Sequence, residues 1–165
     1  MRTVIKVLGG IVACLIILLG VLRITGFEPS GQRPGLWLKG DLVTTPITDW
    51  SFTDKYRTIK IQTNSPFLLP HSVTTNFVIY NNQLYVDSIY PKGIEYPHGR
   101  RWHENIARDP HVRIKIGNQL FDRQLVHVTD PVEAATVSDI KAKKYPSLAG
   151  EMTNSTVTVF HVMDN

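Results

Sequence analysis

The sequence predicts a mainly β protein with minor α-structure, in which a small closed or nearly closed antiparallel barrel follows one transmembrane helix. Three observations predict this fold class. Six or seven short segments alternate apolar and polar residues, residues typical of turns separate them, and one uninterrupted apolar run stands at the amino terminus. Two further segments have the length and end signals of short helices. At 165 residues, the chain is long enough for one domain with a proper core and too short for two ordinary ones.

Residues 1–25 are predicted to be a membrane anchor. Val7 to Leu22 contains no charged residue, and the apolar residues just before it bring the span close to the roughly 20 residues that cross a bilayer. A cleaved signal peptide is an alternative, and so is a lipoprotein signal ending at Cys14, although no clear cleavage site follows the apolar run. Arg2 and Lys6 favour an amino terminus inside the cell, so the remainder of the chain is expected to face outward.

Residues 26–40 are predicted to be a linker, because prolines, glycines and a serine recur through them. Residues 41–165 are predicted to be the barrel domain. Its first strand candidate, Asp41 to Ile47, contains Pro46, which suits a sheet edge. Asp49 to Phe52 is predicted to be a turn that places Trp50 and Phe52 in the core.

The middle of the chain predicts three strands. Tyr56 to Thr63 alternates apolar and polar residues, and Val73 to Tyr80 is followed by Gln83 to Ile89. Asn81 and Asn82 separate the last two segments. Asparagine tolerates positive φ, so this pair predicts a β-hairpin with a type I′ turn.

A short basic helix and a second hairpin come next. Tyr90 to Gly99 holds two prolines and two glycines and is predicted to be a loop. The helix that follows ends before Pro110, because the residue preceding a proline disfavours helical backbone. Val112 to Ile116 and Leu120 to Val128 then form two strands joined at a turn.

The last third of the chain predicts a helix and a closing strand. Asp130 is a candidate N-cap in front of Pro131, and the helix runs to about Tyr145, where Pro146 ends it. Ser155 to Met163 alternates again and completes the barrel.

Charge and composition bound the function. The net charge of +4 and the pI near 9.3 fit an anionic small molecule or an anionic membrane surface. No lysine-rich run or array of aromatic and basic residues is present, so nucleic-acid binding is not expected. The single cysteine cannot form an internal disulfide or a thiolate metal cluster. The six histidines lack the spacing of a zinc motif, so no metal site is expected.

Arg100 and Arg101 form the strongest candidate binding site. Two guanidiniums at the start of a helix combine with free backbone N–H groups and the positive end of the helix dipole, which suits a phosphate. The alternative is that both side chains are solvated or pair with Glu95 and Glu104.

These segments together resemble a known superfamily. A hairpin, a loop, a basic helix ending in Ala-x-Asp-Pro and a strand Val-x-Ile-x-Ile are similar to the split β-barrel flavin-nucleotide-binding superfamily. That superfamily includes pyridoxamine-phosphate-oxidase-like proteins and deazaflavin-dependent nitroreductases. The resemblance covers roughly Asp41 to Phe160. It implies a split β-barrel homodimer that binds a flavin-type cofactor, FMN or a deazaflavin, at the subunit interface.

The resemblance also implies where the cofactor lies. Its phosphate would meet Arg100 and Arg101, and its ring or ribityl tail would meet Asp87, Ser88, Thr74 and Thr75. Tyr90, in the loop beside this pocket, is expected to stack on the ring. No catalytic acid or base is assigned.

Two functions follow from this interpretation. The first is a membrane-anchored oxidoreductase of the nitroreductase or quinone-reductase type, which passes hydride from the cofactor to a small planar acceptor such as a quinone. The alternative is a non-catalytic split-barrel module that binds a small ligand or a protein partner at the membrane.

Overall fold

The computed structural model describes residues 2–67 and 69–164, which form four α-helices and eight strands. The helices are α1 (Arg2–Thr25), α2 (Arg101–Arg108), α3 (Pro131–Lys144) and α4 (Ala149–Thr153). The strands are β1 (Asp41–Leu42), β2 (Ile59–Thr63), β3 (His71–Thr75), β4 (Phe77–Tyr80), β5 (Gln83–Pro91), β6 (His111–Ile116), β7 (Gln119–His127) and β8 (Ser155–Met163). The predicted fold class is confirmed. The structure has eight strands instead of six or seven because the segment predicted as one strand from Val73 to Tyr80 contributes to two, and the short α4 adds a helix. The strand predicted from Asp41 to Ile47 is present only as the two residues of β1.

All eight strands belong to one curled sheet. Seven are ordered β3-β2-β6-β7-β8-β5-β4 and pair antiparallel, while β1 adds parallel to β7. β3 and β4 are consecutive in the chain but lie at opposite edges, with only Asn76 between them. The sheet therefore curls until its edges approach each other, and the Thr75 hydroxyl donates a hydrogen bond to the Asp87 carbonyl at 3.1 Å. The prediction of a single strand from Val73 to Tyr80 is therefore wrong, because this segment is divided between β3 and β4.

The core fills the inside of the half-barrel. Alternate residues of the strands point inward, and those with no more than 1% exposure include Ile61, Phe77, Ile114 and Phe160. Of the two predicted aromatic anchors, only Trp50 is buried. The prediction is wrong for Phe52, which is 41% exposed and stacks on the Trp50 ring at a centroid distance of 6.0 Å.

Two local signals are confirmed. Asn81 and Asn82 have φ angles of 50° and 63°, as a type I′ hairpin turn requires. The Asp130 side chain accepts a hydrogen bond from the Val132 N–H at 3.0 Å and caps α3. α3 then packs on β4 and β8, outside the sheet.

The segment before β1 is held against the barrel. Phe27 and Trp37 share a backbone hydrogen bond, and Gly35 pairs with Ser72 of β3. Glu28 forms ion pairs of 2.5 Å with Lys60 of β2 and with Lys115 of β6. The division into a linker (26–40) and a barrel domain (41–165) stays a prediction, but residues 27–38 contact the barrel closely.

The carboxylate of Glu28 stays charged, which favours its ion pairs with the barrel. Partial burial disfavours its charged form, but hydrogen bonds from Lys115 and Lys60 outweigh this effect and lower its pKa to about 2. Glu28 is therefore charged throughout the physiological pH range.

Helix α1 is long and apolar enough to cross a bilayer, and none of the span from Thr3 to Thr25 is buried against the barrel. By length and composition, a signal sequence at the amino terminus passes the same test.

Candidate functional site

A cavity of about 660 Å³ lies on the open side of the half-barrel, between β3 and β5. The start of α2 and the turn at residues 31–34 also contribute to its lining. The structure brings six of the residues selected from the sequence to this one cavity: Thr74, Thr75, Asp87, Ser88, Arg100 and Arg101. Its volume is in the range of small-molecule sites.

The cavity exists because β5 is longer than its neighbour β4. β4 pairs with β5 only from Gln83 to Val86, whereas β8 pairs with β5 as far as Pro91. The second half of β5 therefore turns one backbone edge toward the gap. At that edge the Arg100 guanidinium donates a hydrogen bond to the Ile89 carbonyl at 2.8 Å.

Asp87 and Lys141 form a buried ion pair at the bottom of the gap. The two residues are 3% and 2% exposed, and the Lys141 ammonium bonds to Asp87 Oδ2. Burial raises the pKa of Asp87, and the charge of Lys141 opposes that effect. Because α3 supplies Lys141 and β5 supplies Asp87, the pair also fixes α3 against the sheet.

Two polar atoms of the cavity have no hydrogen-bond partner within residues 2–67 and 69–164. They are Thr74 Oγ1 and Asp87 Oδ1, both removed from solvent. A buried polar atom without a partner costs about 1–3 kcal/mol. Both atoms are therefore free to bind polar groups of a ligand.

The cavity is electropositive. Its lining contains Arg33, Arg100, Arg101 and Lys141 but, among the described residues, a single carboxylate, that of Asp87. Such an excess favours an anionic ligand. In the described part of the chain, neither Arg100 nor Arg101 forms the ion pair with Glu95 or Glu104 that was one alternative. Both side chains are exposed, as the other alternative, solvation, also expects.

His71, at the start of β3, also lines the cavity. Its partial burial lowers its pKa, and the charge of Arg101 lowers it further. The imidazole is therefore neutral at pH 7 and has a lone pair available. Among the described residues, no group of three His, Cys, Asp or Glu side chains is arranged to hold a metal ion.

The structure places Tyr90 in the core, outside the cavity lining. Its hydroxyl bonds to the hydroxyl of Thr158, and its ring meets the edge of His103. Tyr90 lies in β5 rather than in the predicted loop. Its ring supports Gly99, where φ is +88° and an added Cβ would lie 3.1 Å from Tyr90 Cδ2. Tyr90 thus supports the loop that leads into the arginine pair.

Sequence reasoning missed Lys141, Arg33 and His71. A signal for Lys141 was present, because it follows Ala134 and Val137 at helical spacing and so falls on the face of α3 that packs on the sheet. A lysine on a buried stripe implies a buried partner. Arg33 lies in the predicted linker, and nothing local marks its approach to the cavity.

Comparison with known proteins shows the fold. No protein family profile matches the sequence, and no curated protein is similar to it. Solved structures do match: a conserved hypothetical protein from Mycobacterium tuberculosis has a TM-score of 0.55 at 16% identity, covering 78% of this chain and 86% of that one. The heme storage protein HutZ from Vibrio cholerae has a TM-score of 0.54 at 16% identity, with coverages of 69% and 86%.

A candidate 5-nitroimidazole antibiotic resistance protein from Bacteroides thetaiotaomicron matches with a TM-score of 0.50 at 18% identity, covering 81% of this chain and 84% of that one. Similarity at this level establishes the architecture. The chain has the split β-barrel fold that the sequence resemblance implies.

Proposed function

We propose that the cavity binds a flavin-type cofactor, FMN or a deazaflavin, and that the protein is a membrane-anchored oxidoreductase. One observation carries this proposal: unpartnered polar atoms and four cationic side chains converge on one cavity of about 660 Å³. When bound, the cofactor would supply hydride for a small planar acceptor such as a quinone. The residues of the chain bind it, orient it and limit its contact with water.

The arginines of α2 hold the phosphate in this proposal. Arg101 begins α2 and Arg100 precedes it, so both guanidiniums lie near the amino end of the helix, where the dipole favours negative charge. The bond from Arg100 to the Ile89 carbonyl fixes the direction of one guanidinium. Arg101, which is exposed at the cavity, has its donors available for phosphate oxygens.

The strands position the ring and the ribityl chain. Thr74 Oγ1 is free to donate a hydrogen bond, and Asp87 Oδ1 is free to accept one. Thr75 already donates to the Asp87 carbonyl, so its role is to hold β3 at the gap. Lys141 keeps Asp87 in place and balances its charge beside the ligand.

The proposal includes the surroundings of the cavity. α1 crosses the bilayer and the barrel faces outward, as the charges before the apolar run favour. A homodimer, in which a second copy covers the open side of the cavity, completes the assembly. Support for the dimer comes from the fold, since one solved structure with a TM-score of 0.51 is described as a domain-swapped dimer.

Cofactor titration tests the proposal. FMN and a deazaflavin are added in turn to the full chain in detergent micelles, and binding is followed by absorbance and by flavin fluorescence. Arg101→Ala should weaken binding about tenfold or more, because a hydrogen bond to a charged group contributes about 1.5–3 kcal/mol. Lys92→Ala is the matched control, since it removes an exposed cation outside the cavity lining.

Saturable binding that Arg101→Ala weakens and Lys92→Ala leaves unchanged supports the proposal. Indifference to both cofactors would reject it and favour the non-catalytic binding module.

Haem is a second candidate ligand, and His71 is the observation that favours it. A neutral histidine at the cavity would be a suitable ligand for haem iron, and the arginines would suit the haem carboxylates. Addition of hemin distinguishes the two ligands. A shift of the hemin Soret band that His71→Ala abolishes, without an effect on flavin titration, would assign the cavity to haem.

A further inference from the structure

A groove of about 250 Å³ lies beside the carboxyl end of α1, separate from the cavity described above. Its lining includes Arg23 of α1, Trp37 of the segment before β1, and Phe67 and Pro70 of the loop before β3. The groove thus joins the end of the apolar helix to the barrel.

The loop at this groove exposes large apolar side chains. Phe67 is 68% exposed and Leu69 is 37% exposed. The Ser65 hydroxyl lies within hydrogen-bond distance of the Phe67 and Leu69 carbonyls, so these two residues are held close to Ser65. Exposed apolar residues grouped at one place on a folded domain mark a contact surface.

The position of this surface indicates its partner. Arg23 stands in the last turn of α1, where the apolar run ends, and it lines the same groove as Trp37 and Phe67. Residues at this level of a membrane-spanning helix meet the lipid headgroups. Aromatic side chains are enriched at that depth, and arginine extends its charge toward the headgroups.

We propose that Trp37, Phe67 and Leu69, here called the interfacial patch, insert into the headgroup region of the bilayer that α1 crosses. The inference rests on the membrane anchoring in the proposed function, but it is independent of the cofactor. The lipid surface is the occupant because the patch is continuous with α1, whose own apolar side chains are exposed along its whole length.

The test measures lipid contact at Trp37 in the full chain, reconstituted in phosphatidylcholine vesicles. Trp50 and Trp102 are buried, so Trp37 is the most accessible of the three tryptophans. Lipids brominated near the carbonyl end of the acyl chain should quench Trp37 emission more than lipids brominated near the methyl end. A Trp37→Phe variant supplies the emission of the two buried tryptophans for subtraction.

Substitutions in the loop test the patch directly. Phe67→Glu and Leu69→Glu should each reduce the quenching of Trp37, because a carboxylate is poorly accommodated among lipid chains. Val132→Glu is the matched control, since Val132 is exposed on α3 outside the groove and its substitution should leave quenching unchanged.

Extraction with alkaline carbonate separates the two proposals. A chain that stays in the vesicles while Trp37 is quenched supports both anchoring and the interfacial patch. A chain that stays in the vesicles without quenching of Trp37 overturns the patch and leaves the anchor intact. Release by carbonate rejects the anchor and the patch together. Protection of Trp37 only when a second protein or a second copy is added also overturns the lipid assignment.

Discussion

Removal of the buried cation at the cavity should strongly destabilise the protein. Lys141→Met keeps the length and most of the volume of the side chain but leaves Asp87 as a buried carboxylate without a counter-charge. Asp87 is 3% exposed, and Oδ1 already has no hydrogen-bond partner in the described part of the chain. Breaking a buried ion pair in this way costs about 3–5 kcal/mol.

The loss of stability in Lys141→Met should depend on pH. Without Lys141, burial holds the pKa of Asp87 further above its ordinary value of 3.8. The folded state then binds a proton that the unfolded state releases. Stability is therefore retained below about 3.8 and falls as the pH rises through the folded-state pKa. The variant should differ most from the parent protein at neutral and higher pH.

Urea unfolding of the full chain in detergent micelles, followed by tryptophan emission, measures this effect. Asp87→Asn combined with Lys141→Met should recover much of the loss, because the double variant buries no charge. A single variant within about 1 kcal/mol of the parent, or a double variant no more stable than the single one, would refute the reasoning about charge burial.

Two further predictions concern other elements. Burial, reinforced by Arg100, lowers the pKa of His103 to about 4, so the folded state resists protonation. As the pH falls from about 6.5 to about 4, stability should decrease by about 3 kcal/mol, and His103→Leu should flatten this slope in urea titrations. Loss of the α3 cap in Asp130→Ala should cost about 1 kcal/mol in the same assay, whereas Asp139→Ala, exposed on the same helix, should not.

The parts of the fold that could be predicted from the sequence are those set by single turn and cap residues. Asn81 and Asn82 set the first hairpin, Asp130 and Pro131 set the start of α3, and Pro110 limits α2. Each of these residues acts on the backbone within a few positions, so the turn or the helix end could be predicted from the local sequence.

The division of β3 from β4 could not be predicted in this way. The break falls at Thr75-Asn76-Phe77, a stretch without glycine or proline, so the sequence pattern indicates one continuous strand. The break arises from the curvature of the sheet, as the chain leaves β2 and joins β5. The gap that forms the cavity is therefore a property of the tertiary structure.

The candidate site likewise contains residues that could be predicted from the sequence and residues that depend on tertiary packing. The resemblance located Thr74, Asp87 and Arg101, whose positions in the strands and in α2 follow from the fold. Helical spacing places Lys141 on the buried face of α3, but only the packing of α3 on β4 brings it to the cavity. Tyr90 fell outside the lining because β5 continues two residues beyond the predicted strand end.

The ion pairs of Glu28 limit the freedom of the barrel relative to the membrane. Only Gly26 and Phe27 separate the end of α1 from Glu28, which is fixed to β2 and β6. The three residue steps from Thr25 to Glu28 span at most about 11 Å even when extended. If α1 crosses the bilayer, the barrel cannot move far from the membrane surface. The cavity would then stay at one height above the lipid, and any ligand of the cavity would have to reach it within that layer.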